Sequence, residues 1–441
     1  MNQNDSKMKA FSRNDHLFTK SSEGSRRSEL SRNKQIFYQM TSAVCTALFL
    51  FILMILALIS SALRYVTTNK SLEHRGSHVY RSKEDLKLVP DLNYYYKLYG
   101  LQVDTYNVIT KDGFVIILQR IVDPKEGQDI KISRKPVLLL HGLLQSSGSF
   151  CSSGKESLAY FLFQQGYDIW LGNNRCGFEC RHIDLEPNDY LMWDWDIVDI
   201  SEHDLTALID QVLANSCYDK LTLIAHSQGT TQGFITLDND RFKNCSKLNA
   251  FVALSPAVYG GKLLESKWFI KIIAKMSLNK WFFGIHSFLP IMMTMRSAIV
   301  KHKSFGFLSY TMFNFLFDWD DHLWDQDLKY RHFLFSPVYV SVKLMSWWLN
   351  DKSGFKTSKA ILEDDIQWFD ESTPPVFCVI PRQDKLVNGQ ALVNHLINVE
   401  TTSNYDYIFL DNYSHLDVLW SKTVIKDVGE PIVRFLEYRN I

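Results

Sequence analysis

The longest apolar segment lies near the N-terminus. Residues 40–63 carry no charge, and residues 47–59 consist only of Ala, Leu, Phe, Ile and Met. A helix rises about 1.5 Å per residue, so this segment is long enough to cross a hydrocarbon core of roughly 30 Å. A buried helix normally shows a polar stripe, and a signal peptide has a shorter apolar run nearer the N-terminus. The pattern predicts a retained transmembrane helix at 40–63, with signal cleavage near Ser60 and Ala62 left open as an alternative.

Beyond residue 85 the pattern changes to short apolar runs separated by amphipathic segments. Seven runs predict strands, at 114–121, 136–140, 168–171, 221–225, 250–254, 376–380 and 405–410. Between them, residues 201–213 show the apolar spacing of a helix. Strands that alternate with helices predict βαβ units, and therefore an α/β fold with a largely parallel sheet and helices on both faces.

One long segment interrupts this alternation. Residues from about 257 to about 370 are rich in aromatic side chains and are patterned as helices, so we expect them to form an insertion, here called the cap. The chain is then divided into a polar disordered tail (1–39), the apolar helix (40–63), a linker (64–84) and an α/β domain (85–441) that contains the cap.

Composition excludes several classes of protein. The 441 residues include 48 Lys and Arg against 48 Asp and Glu, and 46% of them are hydrophobic. This apolar content supports a large core and excludes a wholly disordered chain. The balanced charge gives no reason to expect a nucleic acid as partner. Seven cysteines, an odd number without close pairs, indicate neither a disulfide framework nor a zinc ribbon.

The strongest chemical signal lies at the end of the fourth predicted strand. There the sequence reads Ala225-His226-Ser227-Gln228-Gly229 and continues into a helical segment. This is the strand–turn–helix context of a nucleophile elbow, in which the residues two before and two after the serine must be small. The helix dipole would also stabilise a developing oxyanion. Ser227 is therefore the candidate nucleophile, against the alternative that a serine near a glycine has no chemical role.

Two candidate partners of Ser227 lie downstream. A serine hydroxyl needs a base, and α/β-hydrolases carry their residues in the order nucleophile, acid, histidine. Asp384 follows the run at 376–380 and His415 follows the run at 405–410. The carboxyl ends of parallel strands meet at one edge of a sheet, so we expect both side chains beside Ser227. Three other carboxylates near His415 remain rival acids: Asp406, Asp411 and Asp417.

An oxyanion hole in this type of site uses two backbone amides. Gln228 supplies the first by its position after the nucleophile. Leu143, in the loop that begins with His141 and Gly142 after the run at 136–140, is the candidate for the second. Gly142 allows this loop to approach closely. His141 invites a catalytic interpretation, but a histidine that opens such a loop is more often a structural hydrogen-bonding residue.

These motifs, together with others along the chain, resemble the acid lipase family, which includes gastric and lysosomal acid lipases and fungal steryl ester hydrolases. The resemblance covers residues 88–435 and is most specific at the elbow and at Tyr413-Ser-His-Leu-Asp-Val-Leu-Trp420. Supporting segments are TKDGFVIILQRI at 110–121, HGLL at 141–144, GYDIWLGN at 166–173, WDW at 193–195 with Asp199, FG at 283–284 and FLP at 288–290.

The resemblance implies a function for each candidate residue. Ser227 is the nucleophile, Asp384 the acid and His415 the base, and Leu143 and Gln228 are the oxyanion donors. His415 would take the proton of Ser227 as it attacks an ester carbonyl, and an acyl-enzyme would form and be hydrolysed. This chemistry requires no metal and no cofactor.

The chain departs from the family pattern at three places. Ala225 replaces a glycine, residues 173–177 read NNRCG where the family usually has NSRG, and Pro381-Arg382-Gln383 replaces a glycine-rich turn before the acid. The third departure bears directly on Asp384.

The predicted substrate is a neutral lipid. The aromatic cap could close over a long acyl chain, and the membrane helix brings the protein to lipid. Triacylglycerols and steryl esters both fit, and the sequence does not separate them. Two alternatives stay open: a catalytically silent lipid-binding or tethering protein with the same fold, and an esterase for shorter soluble esters.

The location of the protein follows from several weaker signals. Residues 20–39 and 64–83 each contain five Lys or Arg, so the positive-inside rule gives a tie. A glycan on the sequon at Asn412 would crowd substrate beside His415, and the cysteine count also favours a reducing compartment. We expect a single-pass protein at the endoplasmic reticulum or a lipid-droplet surface, with its α/β domain in the cytosol. The oligomeric state is not indicated.

Overall fold

The computed structural model describes residues 31–68, 81–237, 244–277, 279–349, 367–402 and 404–441. The strands are β1 (Gln102–Ile109), β2 (Val115–Val122), β3 (Pro136–Leu140), β4 (Asp168–Gly172), β5 (Leu221–His226), β6 (Leu248–Leu254), β7 (Val376–Pro381) and β8 (Tyr405–Leu410). The helices before the cap are α1 (Arg32–Thr68), α2 (Leu92–Leu98), α3 (Gln128–Ser133), α4 (Leu158–Gln164), α5 (Ile197–Asp199), α6 (Thr206–Ala214) and α7 (Gln228–Leu237).

The remaining helices belong to the cap and to the C-terminal part of the domain. In the cap they are α8 (Leu263–Ser266), α9 (Trp268–Met276), α10 (Lys280–Phe283), α11 (Pro290–Ile299), α12 (Lys303–Phe317), α13 (Lys329–His332) and α14 (Val342–Leu349). After the cap they are α15 (Gly389–Asn398), α16 (Asp417–Trp420) and α17 (Glu430–Tyr438). The predicted tail up to residue 30, most of the predicted linker (69–80) and part of the cap (350–366) lie outside the described residues.

The described strands form one eight-stranded sheet in the order β1-β2-β4-β3-β5-β6-β7-β8. Neighbours from β4 to β8 pair in parallel, whereas β1 and β2 form an antiparallel edge. β3, β4, β5 and β7 are buried along their whole length, which explains why they appear in the sequence as continuous apolar runs. The largely parallel sheet expected from the sequence is therefore observed, and β5 lies at its centre.

β1 is the strand that the apolar runs do not predict. It lies at the edge of the sheet, where only part of its surface is covered, so its burial alternates and Ile109 is exposed. An edge strand that is half solvated does not need a continuous apolar sequence.

Alternate side chains of the central strands enter two different cores. Leu138 and Leu140 of β3 pack on the face covered by α6, α7 and α15, whereas Val137 and Leu139 pack on the face covered by α2, α4 and α17. Successive side chains of a strand point to opposite faces, so each short strand stabilises both layers. Full burial of each such side chain contributes about 1.5–3 kcal/mol. The two cores hold the carboxyl ends of the strands in fixed relative positions.

Helices α8 to α14 occupy the chain between β6 and β7, where the sequence predicts the cap. Their aromatic side chains pack largely on one another: Phe269 stacks on Phe315 with ring centroids 5.3 Å apart. Phe283 packs against Phe288 at 4.9 Å. Other aromatic residues of the cap are exposed, among them Trp268, Trp281 and Phe307.

The N-terminal apolar segment is one helix, α1, which begins eight residues before the predicted start and ends five residues after the predicted end. It is long and apolar enough to cross a membrane. α1 packs against α10 and α12 of the cap, and Leu53 and Ala57 are buried in the structure. Apolar residues elsewhere on α1 are exposed, including Val44, Leu48, Phe51, Ile55 and Leu63.

Candidate active site

Ser227 stands at the sharp turn between β5 and α7. Its backbone has φ 52°, in the left-handed region that non-glycine residues rarely adopt. The turn is fixed by hydrogen bonds from Ser227 N to Leu254 O (3.0 Å) and from Thr230 N to Ser227 O (2.8 Å). Strain of this kind costs about 1–3 kcal/mol and persists only where the surrounding structure imposes it. The strand–turn–helix geometry of the predicted elbow is therefore present.

The small residues of the elbow have a steric reason. A Cβ atom placed on Gly229 would lie 2.7 Å from the carbonyl oxygen of Leu140 and 2.9 Å from that of His141. Both are backbone atoms of β3 and its loop, so they could not move aside. Ala225 is fully buried and pairs with Leu140 on one side and Ala253 on the other. A methyl group is accommodated there, which explains how alanine replaces the usual glycine.

His415 reaches Ser227 from the loop after β8. Its Nε2 lies 2.8 Å from Ser227 Oγ, and its Nδ1 lies 2.6 Å from Oδ2 of Asp384, in the loop after β7. The side chains of His415 and Asp384 are each only 2% exposed. With the Nδ1 proton donated to the carboxylate, Nε2 is free to accept the proton of the serine hydroxyl. Three residues that are distant in sequence thus form one hydrogen-bonded chain.

Asp384 is held in place through its second oxygen. Its Oδ1 accepts hydrogen bonds from the backbone N–H groups of Leu386 (2.8 Å) and Val387 (3.2 Å). These two bonds fix the carboxylate plane so that Oδ2 faces the imidazole. The turn formed after Pro381 therefore directs Asp384 toward His415 without the glycine-rich sequence that the family usually has.

The rival carboxylates have other partners. Asp406 pairs with Arg439 at 2.9 Å and Asp411 pairs with Arg382 at 2.8 Å, both at the surface. Asp417 is buried and accepts hydrogen bonds from Ser414 and from the indole of Trp324 (2.7 Å). Burial raises the pKa of Asp417, against the effect of these hydrogen bonds. Of the four candidate acids, Asp384 is the one that contacts the His415 ring.

The two residues predicted as oxyanion donors belong to two different segments of the chain. Gln228 is the first residue of α7, and Leu143 is half-buried in the loop after β3. That loop lies close to Ser227, since a Cβ on Gly142 would lie 3.0 Å from the Cβ of Ser227. The side chain of Gln145 keeps the loop folded, since its Oε1 accepts the Gly142 N–H at 3.2 Å.

The chain matches two family models: one described as a partial alpha/beta-hydrolase lipase region, over residues 92–154, and one described as the alpha/beta hydrolase fold, over residues 135–278. Sterol esterase 2 of Saccharomyces cerevisiae is 47% identical over 395 residues, which are 81% of this chain and 73% of that protein. The chain belongs to the acid lipase family. The resemblance, the fold and the class of enzyme, a carboxylic ester hydrolase, are therefore confirmed.

Two other relatives have a lower sequence identity. Probable lipase C1672.09 of Schizosaccharomyces pombe is 28% identical over 77% of this chain and 75% of that protein. Lipase member J of Homo sapiens is 25% identical over 77% of this chain and 97% of that protein. Among solved structures, the carboxylesterase CesB from Bacillus subtilis matches with a TM-score of 0.48 and 13% identity, over 78% of this chain and 95% of that one.

His141 has the structural role that the sequence favours. Its Nδ1 lies 2.8 Å from the Gly142 carbonyl oxygen, and its Nε2 accepts the N–H of Asn174 at 3.2 Å. Burial lowers the pKa of His141 to about 4, so the ring is neutral at pH 7. It therefore joins the loop after β3 to the segment after β4 in this acid lipase.

The structure also shows residues around His415 that sequence reasoning did not single out. The His415 carbonyl oxygen accepts the hydroxyl of Ser255 (3.0 Å) and is contacted by His226 Nε2 (3.1 Å). His226 Nδ1 lies 3.0 Å from Oε1 of Gln145, so one ring connects the loop after β3 with His415. Burial, and next the imidazole of His415, lower the pKa of His226 well below its usual range. The signal in the sequence that could have indicated this contact is the position of His226 directly before Ser227.

Arg175 holds the NNRCG segment in place. Its guanidinium binds Asp204 (2.7 and 2.9 Å) and Asp112 (2.7 and 3.1 Å) and lies over the ring of Phe114. These contacts fix the segment after β4 to the β1–β2 hairpin and to the helical turn before α6. Within the described ranges, no group of three or more His, Cys, Asp or Glu side chains is arranged to hold a metal ion.

Proposed function

We propose that this acid lipase is a membrane-anchored serine hydrolase that cleaves the ester bonds of neutral lipids through an acyl-enzyme. The observation that carries the proposal is the chain of contacts from Ser227 Oγ to His415 Nε2 (2.8 Å) and from His415 Nδ1 to Asp384 Oδ2 (2.6 Å). A catalytically silent lipid-binding protein would have no need for a strained serine, a base and an acid in this arrangement.

The geometry supports the following mechanism. His415 Nε2 accepts the hydroxyl proton as Ser227 Oγ attacks the ester carbonyl carbon, and the carbonyl oxygen becomes an oxyanion next to the amides of Leu143 and Gln228. Asp384 stabilises the imidazolium that forms. The tetrahedral intermediate expels the alkoxide, which takes the proton from His415 and leaves as the alcohol. A water molecule then repeats the attack on the acyl-enzyme, with His415 again as base, and releases the fatty acid.

Steryl esters are the substrates that we favour within the neutral lipids. The relative at 47% identity is named a sterol esterase, and the resemblance extends over 81% of the chain. The aromatic cap supplies apolar side chains above the carboxyl edge of the sheet, where both a long acyl chain and a ring system could be bound. Triacylglycerol is the second candidate, because other relatives are named lipases.

A mixed-substrate assay tests this proposal. Purified full-length protein receives an equimolar emulsion of cholesteryl oleate and triolein, and the released oleate, sterol and diacylglycerol are followed together. We expect sterol release to exceed diacylglycerol release several-fold. Preferential release of diacylglycerol would overturn the steryl ester assignment alone. Hydrolysis of short p-nitrophenyl esters with neither lipid cleaved would instead favour an esterase for soluble substrates.

The position of α1 supports the membrane anchor. Phe49 of α1 packs edge-on against Phe282 (5.7 Å) and Phe283 (6.2 Å) of α10. A helix in lipid would therefore bring the cap, rather than the opposite side of the sheet, next to the membrane. Exposed Trp281 of α10 and Phe307 of α12 belong to helices that contact α1. An ester lipid would then reach the cap directly from the membrane or from a lipid droplet.

Membrane attachment is expected to depend on the exposed face of α1. A variant with the three substitutions Leu48→Lys, Phe51→Lys and Ile55→Lys should be released from membranes. Each lysine at the centre of a membrane helix raises the free energy of insertion by roughly 2.5–3.5 kcal/mol. The measurement is the fraction of protein in the membrane pellet after alkaline carbonate extraction. The control variant carries Leu86→Lys, Leu98→Lys and Ile130→Lys, at three exposed residues outside α1. It should stay in the pellet. Extraction of the unmodified chain would contradict the anchor.

A further inference from the structure

Two tryptophans of the cap contact two different parts of the candidate catalytic machinery. The first is Trp319, which directly follows α12 and the residue Asp318. Its indole is stacked on the imidazole of His415, with ring centroids 5.4 Å apart and an angle of 7° between the planes. Trp319 is buried, and its indole N–H donates to no described residue. The contact with His415 is therefore made by the ring face and not by a hydrogen bond.

The position of Trp319 is set by several neighbours. Its ring stacks on Phe317 at 4.5 Å and on Phe313 at 5.7 Å, and its carbonyl oxygen accepts the side-chain amide of Asn314. Asp318, with φ 55°, turns the chain at the end of α12. The Asp318 carboxylate binds the Nζ atoms of Lys267 (2.6 Å) and of Lys385 (3.6 Å), the residue after Asp384. The turn that carries Trp319 is thus joined to the loop that carries the acid.

The second residue is Trp348, near the end of α14. Its Nε1–H donates to Oε1 of Gln228 at 2.9 Å, and both side chains are buried. Gln228 is the residue whose backbone N–H is the proposed oxyanion donor, so this bond holds the first turn of α7 from the side of the cap.

The start of α14 is attached firmly to the α/β domain. Lys343 lies 3.4 Å from Asp194, 3.4 Å from Asp196 and 3.6 Å from Asp199. The hydroxyl of Ser341 donates to the Trp195 carbonyl oxygen at 2.6 Å. Trp348 therefore projects from a helix whose other end is fixed.

We propose that the cap completes the catalytic site, with Trp319 and Trp348 as positioning residues for His415 and Gln228. The proposal rests on the proposed function, because it assigns roles toward the base and the oxyanion donor of that mechanism. The cap is then a part of the catalytic apparatus.

Trp319 acts through the change of charge on His415. In the proposed mechanism the imidazole gains a positive charge in the transition state, when it has taken the serine proton. The face of an indole attracts a positively charged imidazolium more strongly than it attracts a neutral imidazole. Because this gain appears mainly in the transition state, it raises kcat more than it changes KM. The buried indole also limits the access of water to that face of the imidazole.

Trp348 acts through the side chain of Gln228. Loss of its N–H leaves the buried Oε1 of Gln228 without this donor, and the side chain must then move to find another partner. Such a movement at the first residue of α7 displaces the neighbouring backbone amide, and a displaced donor stabilises the oxyanion less.

The test of Trp319 compares a variant that keeps a flat ring with one that keeps only the apolar cover. Purified Trp319→Phe, Trp319→Leu and the control Trp268→Leu, at an exposed tryptophan of the cap, are assayed on p-nitrophenyl butyrate. We expect Trp319→Leu to lower kcat about 10-fold with KM within twofold, Trp319→Phe to recover most of that loss, and Trp268→Leu to match the wild type. The unfolding midpoint of each variant is measured in parallel.

Two outcomes would overturn the role of Trp319. One is a Trp319→Leu enzyme with wild-type kcat and unchanged folding. The other is a loss of kcat that Trp319→Phe does not recover although it folds like the wild type, which would indicate a purely steric role. A wild-type protein that hydrolyses no ester would instead refute the proposed function, so the two failures are distinguishable.

Trp348 is tested by a double-mutant cycle. Trp348→Phe is expected to lower kcat about 10-fold, whereas Trp348→Phe combined with Gln228→Met, which removes the unpaired acceptor and keeps the backbone N–H, should recover a part of the loss. A loss in the double variant equal to the product of the two single losses would show that the pair is not coupled and would overturn this part of the proposal.

Discussion

Ser227→Ala is expected to lower kcat for ester hydrolysis by about 10⁶-fold, the size of effect seen when the nucleophile of a serine hydrolase is removed. The substitution removes the Oγ that lies 2.8 Å from His415 Nε2, so no acyl-enzyme can form. The backbone at this turn has φ 52° with a non-glycine residue already in place, and alanine adds no atom to it. The folded structure should therefore be retained.

The measurement is kcat on a p-nitrophenyl ester and on an emulsified steryl ester, with a stability measurement beside it. Ser297→Ala is a suitable control, because its exposed hydroxyl donates to the Thr294 carbonyl oxygen of its own helix. The control should retain wild-type kcat. Equal rates for Ser227→Ala and the wild type would exclude Ser227 as the nucleophile.

Asp384→Asn is expected to lower kcat by about 10⁴-fold while leaving the fold intact. Asparagine is isosteric, and its side-chain oxygen can still accept the N–H groups of Leu386 and Val387. Its NH₂ group would then face His415 Nδ1, which favours the tautomer whose Nε2 carries a proton and cannot act as base. The negative charge that stabilises the imidazolium is lost as well.

The matched control is Asp411→Asn, which changes an exposed carboxylate in the same region. Asp411 pairs with Arg382 at the surface, where such pairs contribute at most about 1 kcal/mol. We expect its kcat to remain within twofold of the wild type. A large loss of kcat in Asp411→Asn together with a small loss of kcat in Asp384→Asn would identify Asp411 as the acid in place of Asp384.

The three residues of this site can be predicted from the sequence because the fold places each of them after a strand of the same sheet. Ser227, Asp384 and His415 follow β5, β7 and β8, and the carboxyl ends of parallel strands lie at one edge of the sheet. β5 and β7 are buried along their whole length and therefore stand out as apolar segments, whereas β8 is a partly buried edge strand that is recognised by its aromatic and β-branched residues. The choice among four acids cannot be made locally, because it depends on which carboxylate the turn after Pro381 directs toward His415.

The cap shows why other parts of the site could not be predicted. Trp319 and Trp348 lie in segments whose aromatic residues mostly form the core of the cap, and nothing in their local sequence separates a tryptophan that packs from one that contacts His415 or Gln228. Trp319 is separated from His415 by 96 positions in the sequence, and Trp348 is separated from Gln228 by 120 positions. β1 could not be predicted from apolar runs either, because an edge strand has a weaker apolar pattern.

Covalent labelling tests the central claim most directly. The full-length protein is treated with a long-chain alkyl fluorophosphonate, which phosphonylates an activated serine, and the modified peptide is identified by mass spectrometry. We predict one phosphonyl group per chain, on Ser227, and its absence in Ser227→Ala and in protein whose His415 is replaced by Ala. Labelling of a different serine, or equal labelling of Ser227 after loss of His415, would contradict the account.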